Sequence, residues 1–223
     1  MHEPVGRQHR TGARRESVTS QCGDAATGLL DDQRAAGDVP RLQIAFPEAV
    51  EPSRGDIAEI DGAAQVAAIY DPTRRELFTA ERGEGSSLNG RPLRVSAAQT
   101  LVDAMLDTGF PYDVHGRIDE IVGLFGAFVG RARAVRRLGS AALDLCYVAA
   151  GRLDGFWESD LKPWDIAAGA LIVAEAGGRV SDMNGAPFSS RGRHVLASNG
   201  IVHDAMLEVI RSHRLDSARR TGD

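Results

Sequence analysis

The sequence predicts an α/β fold, a layered α+β sandwich, on two observations. From residue 57 to residue 96, short apolar runs alternate with turn residues too closely spaced for helices. Beyond Ser96 the hydrophobic period changes, and strand-like runs alternate with helical ones. This divides the chain into an atypical segment at 1–56, an antiparallel meander at 57–96, an α/β half at 97–212 and a polar tail at 213–223.

The elements follow in order. Gln65 to Tyr70 reads as a buried strand, and Asp71-Pro72-Thr73-Arg74 as a turn, because proline presets φ at its second position. Glu76 to Glu81 alternates polar and apolar residues and reads as the next strand. Arg82-Gly83-Glu84-Gly85 turns the chain again. Asn89-Gly90 is a hairpin signal, since both residues tolerate positive φ, and Leu93 to Val95 reads as a short strand beyond it.

In the second half, Ile118, Ile121, Val122, Leu124, Phe125 and Phe128 stand at helical spacing. Ala132 to Leu138 is a strand candidate. Ala141 to Ala150 reads as a helix with Ser140 as N-cap and Gly151 as stop. Leu153 to Trp157 reads as a strand. Pro163 to Ala176 reads as a helix that starts on proline and ends at Gly177-Gly178. His194 to Ala197 reads as a strand, Ile201 to Ile210 as the last helix, and the polar residues after Ser212 as frayed.

Composition narrows the function. A chain of 223 residues can bury a sizeable core. Its net charge of -5 argues against non-specific nucleic-acid binding, which needs a basic surface. No apolar run approaches the length of a membrane span, and no apolar signal-peptide core is present, so no membrane partner and a cytoplasmic location are expected. Arg7, Arg10, Arg14 and Arg15 hint at a transit peptide, but the composition of residues 1 to about 40 favours a disordered tail. Cys22 lies in a polar stretch and Cys146 in an apolar helical pattern, so no disulfide framework is expected and Cys146 reads as core.

The stretch from Trp157 to Gly169 is the richest in chemistry. Asp165 falls in the first turn of a helix, where an acid complements the helix dipole and could equally present a hard oxygen to magnesium. Trp164 beside it could be core or could shape a dry pocket. Glu158 stands at a strand end, where ligand sites gather in α/β structures, although a lone acid there also reads as a solvated surface group. Gly139-Ser140-Ala141 joins a strand to a helix, and amides at such a start can hold an anion or hydroxyl groups, while capping by Ser140 would need no ligand. Asp144, on the same helix, could be a surface acid or a buried structural one. The histidines show no metal-ligand spacing, which disfavours zinc, and neither a Gly-x-Ser-x-Gly elbow nor a P-loop is present.

Taken together, Gly139-Ser-Ala-Ala-Leu-Asp-Leu-Cys-Tyr-Val-Ala-Ala-Gly-Arg-Leu-Asp-Gly-Phe-Trp-Glu158, then Trp164-Asp-Ile-Ala-Ala-Gly169 and Glu175-Ala-Gly-Gly178, resembles the C-terminal signature of the inositol monophosphatase family. Tyr70-Asp71-Pro72, Leu77-Phe78-Thr79-Ala80, Gly83-Glu84-Gly85 and Leu88-Asn89-Gly90-Arg91-Pro92-Leu93 resemble its middle sheet. The resemblance covers residues 57 to about 210 and implies an inositol monophosphatase-like fold with an incomplete N-terminal layer. It implies a magnesium-dependent phosphomonoesterase that hydrolyses inositol monophosphate, with histidinol phosphate or another small phosphate ester as the alternative substrate. Asp165 matches the family's metal-binding aspartate, Glu158 the acid that bonds a substrate hydroxyl, and Gly139, Ser140 and Ala141 the segment at the polyol ring. A small phosphorylated polyol is the implied partner, and a homodimer is a further expectation.

The sequence departs from the family upstream. The family's Gly-Glu-Thr-like and Asp-Pro-Ile-Asp-Gly-Thr segments, which supply most metal ligands, have no counterpart here. Leu30-Asp31-Asp32 stands about where the second belongs, but Gln33-Arg34-Ala35-Ala36 follows it. A catalytically inactive, truncated or frameshifted relative that retains polyol binding or dimerisation is therefore the alternative reading of function.

Overall fold

The structure is a computed structural model, and it describes residues 54–60, 63–111 and 114–221. The expectations for residues 1–53, including Cys22, Leu30-Asp31-Asp32 and the arginine-rich start, lie outside the described residues.

The first sheet is a meander in which each strand pairs antiparallel with the next: β1 (Arg54–Ile60), β2 (Ala63–Asp71), β3 (Glu76–Glu81), β4 (Gly85–Leu88) and β5 (Arg91–Pro92). Its tight turns are local chemistry. Asn89 and Gly90 sit at φ 49° and 77°, the left-handed pair a two-residue hairpin demands. The Asp71 carboxylate accepts the N–H groups of Thr73 and Arg74 at 2.9 and 3.1 Å, which fixes the turn between β2 and β3. Burial pushes Asp71 upward, but these amides and the Arg74 guanidinium outweigh it and hold its pKa below the usual value.

The second sheet is mixed, in the order β7-β6-β8-β10-β9: β6 (Met105–Thr108), β7 (Ala134–Arg136), β8 (Gly155–Ser159), β9 (Arg179–Ser181) and β10 (His194–Ser198). Strand β6 runs parallel to β7 and β8, while β10 is antiparallel to β8 and β9. Among the described residues, four α-helices join these sheets: α1 (Ile118–Val129), α2 (Ala141–Ala149), α3 (Pro163–Glu175) and α4 (His203–Thr221).

Side-chain alternation along the strands explains the layering. Ala67 and Ile69 of β2, with Phe78 and Ala80 of β3, bury against α2 and α3. From the other side Phe156, Val195 and Ala197 pack on the same two helices. The opposite face of the second sheet carries Leu106, Trp157 and Leu196, which meet Phe128 of α1 and Met206, Leu207 and Ile210 of α4. Phe128 stacks on Trp157 at 3.9 Å between ring centres. The order is therefore sheet, α2 with α3, sheet, α1 with α4, which bears out the predicted layered α/β fold. Cys146 is fully buried in the first core, as expected.

Several boundaries differ from the sequence reading. No strand forms at Leu93 to Val95. Both side chains pack on the first core, while the Val95 N–H donates to Ala176 O and leaves the sheet. Strand β8 begins at Gly155 rather than Leu153, because Leu153 is buried in the turn before it. Helix α4 continues to Thr221, so residues 213–221 extend a helix and are not a frayed tail. Strands β1, β4, β6 and β9 were not anticipated individually, and β1 begins at Arg54, inside the segment set apart at 1–56.

Candidate functional site

Parallel strands β6, β7 and β8 point the same way, and the chain enters α2 after β7 and α3 after β8. Strand ends and helix starts therefore gather at one edge, the place where ligand crevices form in α/β sheets. Alternation sets the side chains there. Leu106 and Trp157 face α1 and α4, so Asp107 and Glu158, one position on, face α2 and α3.

Glu158 is 9 % exposed, so it is not the solvated surface acid that its position also allowed. Burial, with the charges of Asp165 and Asp107, pushes its pKa up to about 7 against the pull of Arg137. A carboxyl with that pKa can donate or accept a hydrogen bond near neutrality. Room for it comes from Gly109: a Cβ there would lie 2.1 to 2.2 Å from the Glu158 carboxylate atoms.

Asp165 is the third residue of α3, after Pro163 and Trp164. Its Oδ2 accepts the Lys162 N–H at 2.8 Å, an N-terminal capping bond of the kind that an acid at this position commonly makes. The carboxylate is half-buried and close enough to raise the Glu158 pKa. Trp164 is 50 % exposed and belongs to neither core.

Gly139, at φ 96°, and Ser140 lead into α2, whose first residue is Ala141. Ser140 occupies the N-cap position in an extended conformation, but its side chain makes no capping bond, which corrects that expectation. One turn into the helix Asp144 lies 1 % exposed. It feels both the Ser140 amide and the Glu158 charge, and so connects the start of α2 with Glu158. Glu158 is thus linked to Asp165 on one side and to the start of α2 on the other. Direct contacts between the Gly139-Ser140-Ala141 segment and Glu158 are not among these links.

Sequence reasoning assigned no role to Asp107, Asp144, Arg137 or Gly109. The one available signal was an acid inside the apolar run Ala104-Met-Leu-Asp-Thr108, where a strand buried between two layers has no place for a lone charge.

Magnesium needs several hard oxygens around it. Asp165 offers one such carboxylate, with one oxygen already accepting the Lys162 amide. Among the described residues no three His, Cys, Asp or Glu side chains form a group that could hold a metal ion. The described residues therefore do not by themselves fit a two-metal centre.

Fold and site define a layered α/β protein with an acidic edge at the carboxyl ends of parallel strands. Residues 57–215 match the inositol monophosphatase family, and the chain belongs to that family. It is 47% identical over 162 residues to a Pseudomonas aeruginosa protein named Nus factor SuhB, covering 71% of this chain and 59% of that one. It is 44% identical over 153 residues to an inositol-1-monophosphatase of Mesorhizobium japonicum, covering 69% and 58%. Among solved structures, an inositol monophosphatase from Anabaena (Nostoc) sp. PCC 7120 superposes with a TM-score of 0.69 at 39% identity, over 71% of this chain and 63% of that one. The chain thus spans less than two thirds of the relatives it matches. Among the described residues no helix is long and apolar enough to cross a membrane.

Proposed function

We propose that the chain serves a magnesium-dependent phosphomonoesterase reaction of inositol monophosphatase type, the hydrolysis of inositol monophosphate to inositol and phosphate. In this reading the described residues supply the side of the site that holds the polyol. One observation supports it above the rest: Glu158, Asp165 and the start of α2 converge on the carboxyl edge of β6 and β8, linked through their mutual charges. The name of the Mesorhizobium relative gives the substrate class.

The chain's own residues then have distinct tasks. Glu158, buried and poised near neutrality, bonds a ring hydroxyl and fixes the orientation of the polyol. Gly139, Ser140 and Ala141 set the α2 amides against other hydroxyls of the ring. Asp165 would present a carboxylate oxygen to a cation at the phosphate end. Magnesium would supply charge neutralisation and an activated water there.

The second reading, an inactive relative that binds polyol, is favoured by the absence of the Asp-Pro-Ile-Asp-Gly-Thr text and of a metal-holding group among the described residues. One assay separates the two. Purified protein is given inositol 1-phosphate or histidinol phosphate, with and without magnesium, while phosphate release and ligand binding are followed together. Binding of the inositol ester with magnesium-dependent release supports hydrolysis, and binding without release supports the second reading. No binding of either ester rejects both.

A further inference from the structure

Asp107 and Asp144 are the least explained polar groups in the described structure. They are 0 % and 1 % exposed, and none of their four carboxylate oxygens has a hydrogen-bond partner. As carboxylates all four are acceptors, and buried acceptors without donors are costly. The groups facing them come from every element packed around the pair: Glu158 from β8, Arg137 from the β7–α2 connection, and the Cys146 thiol from α2 itself. Asp165 on α3 bears on them through Glu158. Arg137 is the only cation among these, and the backbone amides of Leu138, Thr108 and Ser140 also favour the charged forms.

A single proton resolves the conflict. Placed on one carboxyl it creates the missing donor, aimed at the neighbouring carboxylate, and removes one of two like charges held in a dry interior. We infer that Asp107 and Asp144 share one proton as a carboxylic acid–carboxylate pair, and that this pair is a pH-responsive joint between β6 and the start of α2. With the proton in place the joint is closed by a hydrogen bond. When the proton leaves for solvent, two buried negative charges face each other across the strand–helix contact, and the first turn of α2 is driven away from β6. The shift in pKa has the corresponding sign: burial first, then the Asp107 charge and contact, push Asp144 up to about 9, and burial raises Asp107 as well. The joint lies beneath the polyol side proposed above but does not depend on it.

Carbon-13 carboxyl NMR of the full 223-residue chain, labelled at Asp and Glu and titrated from pH 5 to 10, reads the proton directly. The expected result is one aspartate carboxyl still protonated at pH 7 and titrating near pH 9, with the Ala141 and Ala142 amide signals moving at the same midpoint. In Asp144→Asn the alkaline titration disappears and the α2 amides stay still across that range. In Asp107→Asn the remaining Asp144 signal titrates at lower pH, because its like-charged neighbour is gone. Complete ionisation of every aspartate by pH 6 in the wild-type chain would overturn the shared proton, whether or not either variant folds. An alkaline titration that leaves the α2 amides unmoved would overturn the joint. Neither readout involves a polyol or magnesium, so failure of the phosphatase reading leaves this test intact.

Discussion

The Glu158 carboxylate fills the space that a side chain on Gly109 would need: a Cβ at Gly109 would stand 2.1 Å from the Glu158 Cδ. The two residues sit at the ends of neighbouring parallel strands, so backbone cannot easily shift to relieve a clash. Gly109→Ala is expected to force Glu158 into another rotamer and to cost about 1–3 kcal/mol in urea unfolding, the usual range for overpacking. Wild-type stability in this variant would show that the slot is not needed.

Stability should fall as pH rises through the neutral range. The Asp144 folded-state pKa, about 9, lies above the unfolded value near 3.8. The unfolded chain therefore holds fewer protons between these values, and the contribution is full below about pH 4 and is lost as pH rises towards 9. The slope is about 1.4 kcal/mol per pH unit for one proton. Urea unfolding of Asp144→Asn across pH 6 to 9 should be flatter than that of the wild type.

His203 acts with the opposite sign. It is fully buried, with Ser181 Oγ at 2.9 Å from Nε2 and Ser198 Oγ at 3.0 Å from Nδ1. Burial first, then Arg179, push its pKa down to about 4 from 6.5. The unfolded chain binds the extra proton between those values, so this contribution is present above about pH 6.5 and is lost as pH falls to 4. His203→Ala removes the ring that bonds two buried hydroxyls, although Ser181 Oγ still donates to Asp182 O and Ser198 Oγ still accepts the Gly200 N–H; it should cost about 1–3 kcal/mol at pH 7 and weaken the acid-side loss of stability.

How much of this was legible follows from range. Asn89-Gly90, Pro163 and Gly177 act on their own backbone, and the hairpin and both ends of α3 stand where the sequence put them. Leu93 and Val95 misled because an apolar side chain reports burial, and burial was achieved with one backbone bond to the sheet, from the Leu93 N–H to Ser86 O, rather than with a further strand. The helical extension to Thr221 carries too few apolar residues for its period to show. Asp165 and Glu158 became candidates through resemblance, since an acid in a helix's first turn and an acid at a strand end both have ordinary explanations. The Asp107–Asp144 pair could not be read at all. Its partners come from a strand and a helix far apart in the sequence, and no local pattern encodes their meeting.

Asp165→Asn should leave stability within about 1 kcal/mol of wild type, because an amide oxygen can still accept the Lys162 N–H. Any magnesium-dependent phosphate release by the 223-residue chain is expected to fall to background in Asp165→Asn, since a neutral amide cannot offset the charge of a divalent cation. A malachite-green assay checks this. Robust release that survives Asp165→Asn would reject the metal role of Asp165.

The central claim is that Glu158 and the start of α2 form a polyol-binding edge, and the most direct measurement is a ligand-observed NMR titration of the 223-residue chain with inositol 1-phosphate at pH 7. The account predicts saturable binding, weakened at least about tenfold in Glu158→Ala, the order expected when a buried charge-assisted hydrogen bond is removed. Absence of binding in the wild-type chain, or equal binding in a folded Glu158→Ala variant, would contradict it.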